Sequence, residues 1–301
     1  MYHQITHNKR VSAVVIAAFV LVWVVAGLLI GGLFGRSWGS AIGGAIVLTF
    51  FALLGILFTY FFGSGTVLAV SGAQPADPQR YAQLHNIVEA LAIGSGLPKP
   101  AVYVIDDPSP NAFATGRDPQ HAAVTATTGL LQMMNREELE GVIAHEMSHI
   151  RDYDVRLLLI CSTLVGMAAL IASFAFRGAF TVRGRDSAQL ALIAIALGVI
   201  FSLIAWVVGP LMQLALSRER ESLADAAGVE LTRNPAGLLG ALRKLAANDQ
   251  PLVKYNHATA AMYIDNPLEH HEHWFNHVWD THPPIQERIA ALERISQVQQ
   301  T

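Results

Sequence analysis

Residues 145–149 read His145-Glu146-Met147-Ser148-His149. Two histidines four apart on a helix share one face, so both imidazoles can reach one metal ion, and the glutamate between them stands close enough to take a proton from water. With 12 His and 12 Glu in 301 residues, an H-E-x-x-H pattern is expected by chance only ~0.02 times. The chemistry of such a set is hydrolysis, in which three protein ligands hold zinc and a fourth position is left to water. The single cysteine, Cys161, excludes an internal disulfide and a cysteine-rich zinc site, so His and carboxylate must do the holding. A third ligand is offered by the segment Ser217-Arg218-Glu219-Arg220-Glu221-Ser222-Leu223-Ala224-Asp225. Glu221 and Asp225 lie one turn apart on one face. One can ligate, and the other can accept the ring N–H of a ligating histidine; the pattern alone leaves both assignments open.

The elements that position these residues are legible in outline. Asn135 followed by Glu138 predicts a capped helix start, and helical patterning runs over 136–153, carrying both histidines. Further helical patterning covers 79–93, 218–232, 236–247 and 284–297. Ala101–Ile105, bounded by Pro100 and Asp106-Asp107-Pro108, predicts a strand, and Ala122–Thr128 predicts a second. Asn111–Gly116 reads as a turn before that second strand.

The rest of the chain is unusually apolar. Hydrophobic residues make up 52%, charged residues only 14%, and mean hydropathy is +0.39, far from soluble-globular composition. The 20 Lys+Arg against 23 Asp+Glu are too balanced to point to nucleic acid. Four stretches contain no Asp, Glu, Lys or Arg: 11–35, 37–62, 157–176 and 187–217. Each is long enough to cross a bilayer. The first exceeds the ~7–15 apolar residues of a signal peptide and ends in no A-x-A site, so it reads as an uncleaved anchor. The expected organisation is a transmembrane hairpin at 11–62 (spans about 11–35 and 39–62) and a first catalytic part at 63–156. A second hairpin follows at 157–216 (spans about 157–176 and 188–214), then a second catalytic part at 217–301. His145 and Glu221 can meet only if the two intervening spans return the chain to the same side. Lys9, Arg10, Arg151, Arg156, Arg218 and Arg220 flank spans on that side, against Arg36, Arg177, Arg183 and Arg185 on the other, a small bias towards a cytoplasmic site. A metal transporter would place ionisable residues inside its spans, and these four have none. A zinc-holding scaffold without turnover is the remaining rival to an enzyme.

His-Glu-Met-Ser-His-Ile-Arg-Asp-Tyr-Asp, followed by Ser-Arg-Glu-Arg-Glu-Ser-Leu-Ala-Asp, resembles the HtpX-type membrane zinc endopeptidases over nearly the whole chain. The resemblance implies a mainly α chain: four transmembrane helices plus an α/β gluzincin-like domain with a small β-sheet. By that resemblance one Zn²⁺ is held by His145, His149 and Glu221, Glu146 is the base, Asp225 supports a ligand, and Arg218 and Arg220 flank the site. Asn111–Gly116 resembles the edge against which a polypeptide substrate lies, with Asn111 contacting the substrate backbone, and the extended segment is placed beside Ala122–Thr128. Thr281-His282-Pro283-Pro284 and Arg288 match a C-terminal pattern in which His282 and Arg288 approach the site and stabilise developing negative charge. It also implies a multi-pass protein of the bacterial cytoplasmic (inner) membrane, its site facing the cytoplasm, in membrane-protein quality control and stress response. Ser222 departs from the aromatic residue usual there. The stretch from Glu269 to His277, with His270, His271, His273 and His277, is richer in histidine than the family needs and reads as a polar loop, with a second metal site at His273 and His277, four apart, as the alternative.

Overall fold

The computed structural model describes residues 2–181, 187–215, 218–248, 263–264 and 285–298. Two long helices come first, α1 (Tyr2–Gly35) and α2 (Trp38–Val70). A mixed region follows, with β1 (Gln74–Pro75), α3 (Ala82–Ser95), β2 (Ala101–Ile105), β3 (Ala112–Gly116), β4 (Ala122–Thr127), the short α4 (Thr128–Met133) and α5 (Arg136–Arg151). Two more long helices, α6 (Asp154–Thr181) and α7 (Ser187–Ala215), precede α8 (Arg218–Thr232), α9 (Pro235–Ala246) and α10 (Ile285–Val298).

The long helices pair as α1 with α2 and α6 with α7. Small residues let the first pair approach closely: a Cβ on Gly44 would stand 2.4 Å from the Gly27 carbonyl oxygen, and one on Gly27 2.5 Å from Ala45 Cα. In a bilayer such seams replace the hydrophobic drive that lipid tails remove. The outer face of α2 displays Ile46, Phe50, Leu53, Leu54, Leu57 and Phe61, all exposed, as a helix solvated by lipid requires. Among the described residues three helices are long and apolar enough to cross a membrane: Ile5–Gly32, Trp38–Val70 and Asp154–Thr181. Within α7 the described apolar stretch is Ala188–Leu203, short of the ~20 residues that a crossing needs. The side chains of 207–219 lie outside those described.

The sheet runs β1-β2-β4-β3, with β2 parallel to β4 and the other neighbours antiparallel. β4 ends one residue before the expected Thr128 because the Thr127 hydroxyl accepts from the Leu130 N–H at 3.1 Å and caps α4. The stretch Asn111–Gly116, a turn by its residues alone and a substrate edge by resemblance, carries the strand β3, held by pairing Ala112 with Ala126 and Gly116 with Ala122. This also corrects the placement of substrate beside Ala122–Thr128. β4 is flanked on both sides, and the edge of the sheet is β3.

Side chains alternate across the sheet with period two. Val102, Val104, Ala112, Ala114, Val124 and Ala126 face a core shared with α3, α5, Val229 of α8, Leu242 of α9 and Leu292 of α10. Ile105, Phe113 and Ala123 face Leu68 of α2 and Leu157 and Leu164 of α6. With both faces covered, β3 and β4 have no exposed position, which is why their sequences carry no charged residue on either face. The chain before α6 and the chain after α7 thus build one core around α5. At its centre Gly141 is required, since a Cβ there would stand 2.6 Å from the Leu238 amide nitrogen of α9.

Candidate metal centre

Helix α5 begins as expected. Asn135 Oδ1 accepts from the Glu138 N–H at 2.9 Å, and Glu138 Oε2 accepts from the Asn135 N–H at 2.8 Å. Twelve of its 16 residues are buried, including His145, Glu146 and His149. Buried polar side chains must be paired or they cost free energy, so their partners define what the helix is for.

The two imidazoles turn Nε2 towards each other at 3.1 Å. Glu221 of α8, fully buried, completes the group: its Oε2 stands 3.5 Å from His145 Nε2 and its Oε1 3.4 Å from His149 Nε2. Four donors set tetrahedrally about zinc at about 2.0–2.1 Å are about 3.3–3.4 Å apart, and the three separations here fall around that spacing. Among the described residues these three are also the group of His and carboxylate whose ligand atoms all lie within 4.8 Å of one another. Two imidazoles and one carboxylate are the donor set that zinc accepts, and the set fits it by spacing, burial and chemistry.

Each ring is held from behind. His145 Nδ1 lies 2.9 Å from Asp225 Oδ1, and His149 Nδ1 lies 3.1 Å from Asp154 Oδ2. A carboxylate at Nδ1 keeps the proton there and leaves the Nε2 lone pair for the metal. Asp225 is gripped by Arg288 of α10, through Nη2 to Oδ1 at 2.6 Å and Nε to Oδ2 at 3.0 Å.

The electrostatics follow from burial and these pairs. Burial and the Arg288 charge lower the pKa of His145 against the opposing pull of Asp225. Burial also pulls His149 down, but the charge of Glu221, then the bond and charge of Asp154, outweigh it and push the ring up to about 9. Burial raises the Asp225 carboxyl, and Arg288 and His145 overcome it, holding the group at about 2. Arg288 stays protonated because Asp225, with Glu221 and Glu146 behind it, more than offsets its burial. The surroundings of His149 thus favour positive charge, whereas burial and Arg288 oppose it at His145.

The structure therefore gathers His145, His149, Glu146, Glu221, Asp225 and Arg288 into one buried cluster. Asn111 is placed elsewhere, at the start of the edge strand. Its N–H donates to Thr127 Oγ1 at 2.8 Å and its carbonyl accepts from the Thr127 N–H at 2.9 Å. The next carbonyl, on Ala112, accepts from the Ile264 N–H at 2.9 Å, and Tyr263 packs edge-on against Phe113, with ring centres 4.9 Å apart. Arg220 reaches Asp154 at 3.5 Å, and Ser222 is exposed. His282 and the 269–277 stretch lie outside the described residues, as does the side chain of Arg218. Asp154 is the residue that motif reading passed over. Its signal is an acid five residues beyond the second histidine, at the first turn of a helix long and apolar enough to cross a membrane, where an unpaired carboxylate is costly.

An H-E-x-x-H helix whose imidazoles converge on a glutamate from a later helix, set beside long apolar helices, defines a membrane metalloprotease. The profile of peptidase family M48 matches residues 78–296, and the chain belongs to that family. It is 42% identical to the Protease HtpX homolog of Lactobacillus helveticus (strain DPC 4571) over 98% of this chain and 100% of that one. It is 43% identical to the Protease HtpX homolog of Ligilactobacillus salivarius (strain UCC118), again over 98% and 100%. A likeness to the crystal structure of S. mikatae Ste24p has 18% identity and a TM-score of 0.48, covering 88% of this chain and 60% of that one.

Proposed function

We propose that this chain is a zinc-dependent endopeptidase that cuts membrane or misfolded polypeptides at the cytoplasmic edge of a bacterial inner membrane. The observation that carries the zinc reading is the convergence of His145 Nε2, His149 Nε2 and Glu221 at 3.1–3.5 Å, each ring backed by its own carboxylate. Bound zinc supplies a Lewis acid that polarises the scissile carbonyl and acidifies a water. Glu146, buried beside His145, accepts the proton from that water and passes it to the departing amine. Asp225 and Asp154 keep the two rings in the tautomer that presents Nε2.

Arg288 acts here through Asp225. Its fork is engaged bidentately on that carboxylate, so we assign it positioning of His145 rather than contact with substrate. His282 retains the role of an oxyanion donor as a proposal. Substrate is taken as an extended segment along β3, the sheet edge next to α5, with Asn111 setting register. The hydrogen bond from the Ile264 N–H to the Ala112 carbonyl supports this reading, because it is an outward backbone acceptor of β3 bonded to a segment beyond the sheet.

The four-span organisation is supported by connectivity. His145 precedes α6 and Glu221 follows α7, yet they stand 3.5 Å apart; if α6 crosses the bilayer, α7 must return. Six basic residues beside the catalytic-side span ends against four on the other side favour a cytoplasmic site, and the quality-control role rests on the resemblance to HtpX-type endopeptidases. Metal content and cleavage of casein by the detergent-purified protein test the proposal directly. One zinc per chain with hydrolysis supports it, and zinc without hydrolysis turns it into a scaffold.

A further inference from the structure

The link between α5 and α6 joins the helix bearing the histidines to a membrane-spanning helix, and its backbone is irregular. Tyr153 has φ +65°, a left-handed conformation that large non-glycine side chains rarely adopt. Two consecutive residues near the start of α1 engage this link. Asn8, buried at 2% exposure, donates through Nδ2 to the Asp152 carbonyl at 2.8 Å and to Asp154 Oδ1 at 2.6 Å. Lys9 sets its ammonium 4.3 Å from the centre of the Tyr153 ring, a cation–π contact on the strained residue itself.

The same Asp154 carboxylate faces the metal site with its other oxygen. Oδ2 lies 3.1 Å from His149 Nδ1, while Oδ1, held by Asn8, also has Arg220 Nη1 of α8 at 3.5 Å. The two oxygens of a carboxylate are rigidly related, so anchoring one sets the plane of the group and the direction of the lone pair offered by the other. A continuous path of short polar contacts therefore runs from the first membrane-spanning helix, through Asn8 and Asp154, to a ring whose Nε2 meets His145 and Glu221.

We infer that Asn8 is a positioning residue for the metal site: by fixing Asp154 it holds the His149 ring, so docking of α1 on the α5–α6 link sets how tightly zinc is bound. The inference rests on the reading of His145, His149 and Glu221 as zinc ligands. It gives the N-terminal part of α1 a role beyond anchoring. A side chain that only supported packing would need no particular donor, whereas this one requires an N–H that serves a carbonyl and a carboxylate together.

The test uses the full chain in detergent, as wild type, Asn8→Ala, Asn8→Asp, Asp154→Ala and the Asn8→Ala/Asp154→Ala double variant. Zinc affinity is read by competition with a chelator, and ligand geometry by the visible absorption of the Co²⁺-substituted protein. Asp154→Ala should weaken zinc by about 10–100-fold, as loss of the group behind a ligating histidine does. Asn8→Ala should weaken it by up to about tenfold, with a Co²⁺ spectral shift in the same direction. Asn8→Asp, which faces an acceptor towards two acceptors, should bind zinc at least as weakly as Asn8→Ala. The double variant should be no weaker than Asp154→Ala alone, because Asn8 acts through that carboxylate. Zinc affinity within twofold of wild type and an unchanged Co²⁺ spectrum in both Asn8 variants overturn the inference, even if their metal-free forms melt earlier. Additive losses in the double variant overturn it as well. If Asp154→Ala does not fold, the two Asn8 variants decide by the same criteria. A wild-type protein that binds no stoichiometric zinc overturns the ligand assignment itself, an outcome distinct from zinc binding that is indifferent to Asn8.

Discussion

Helices α2 and α5 invert each other. α2 is apolar almost throughout and carries no charged side chain, yet most of it is exposed, with Phe50, Phe51, Leu54, Phe61 and Phe62 all on its outer surface. α5 is rich in polar residues, yet 12 of its 16 positions are buried, His145, Glu146 and His149 among them. Composition therefore does not say which helix is inside; the solvent of each does. In lipid an apolar surface needs no partner, and packing comes from close small-residue contacts such as Gly27 against Gly44. In the catalytic core each buried polar group needs a specific partner, which is why the rings of α5 are backed by Asp225 and Asp154 and its N-terminal turn by Asn135. Tolerance to substitution should divide the two helices accordingly.

The largest effect should come from α5. His145→Ala removes a proposed ligand, and both stoichiometric zinc and casein hydrolysis should disappear; full turnover with zinc retained would show that the ligand set lies elsewhere. Glu146→Gln keeps the shape but cannot accept a proton, so metal analysis should still find one zinc per chain while kcat falls by about 10²–10⁴-fold. Rates near wild type would remove Glu146 from the reaction.

On the outer face of α2 only charge should matter. Leu54→Arg places a cation on the lipid face and should disfavour insertion by about 2.5–3.5 kcal/mol, read as the membrane-integrated fraction in a translocation assay. Insertion as efficient as wild type would mean that this face is not in lipid. A smaller effect is expected one step from the metal. Asp225→Asn should weaken zinc or activity by about 10–100-fold without abolishing the site, and Arg288→Gln should move the same quantity in the same direction if it works through Asp225. The smallest effect should be Leu54→Met, within about 0.5 kcal/mol of wild type in thermal melts, as for surface substitutions without a specific partner. A large loss there would reveal a protein contact on α2 and blur the contrast between the two helices.

Local signals in the chain were sufficient for the parts of the molecule whose geometry is local. The spacing of His145 and His149 places both on one face of any helix, because backbone hydrogen bonds join residues four apart, and the reciprocal Asn135–Glu138 bonds, three apart, start that helix. The strand Ala101–Ile105 was bounded by its own proline and aspartates, and the long uncharged runs announced their helices. The residues of Asn111–Gly116 alone favour a turn, and only the resemblance makes the stretch an edge; it forms β3 through pairing with β4, which no local pattern reports. What only the tertiary structure decided are the contacts that bridge long stretches of chain. Glu221 reaches the two histidines because α6 and α7 bring the chain back, Arg288 grips Asp225 from 63 residues away, and Asn8 holds Asp154 from 146 residues away. The physical reason is that a buried carboxylate must find its partner wherever the packed core brings one, and sequence distance places no limit on that search.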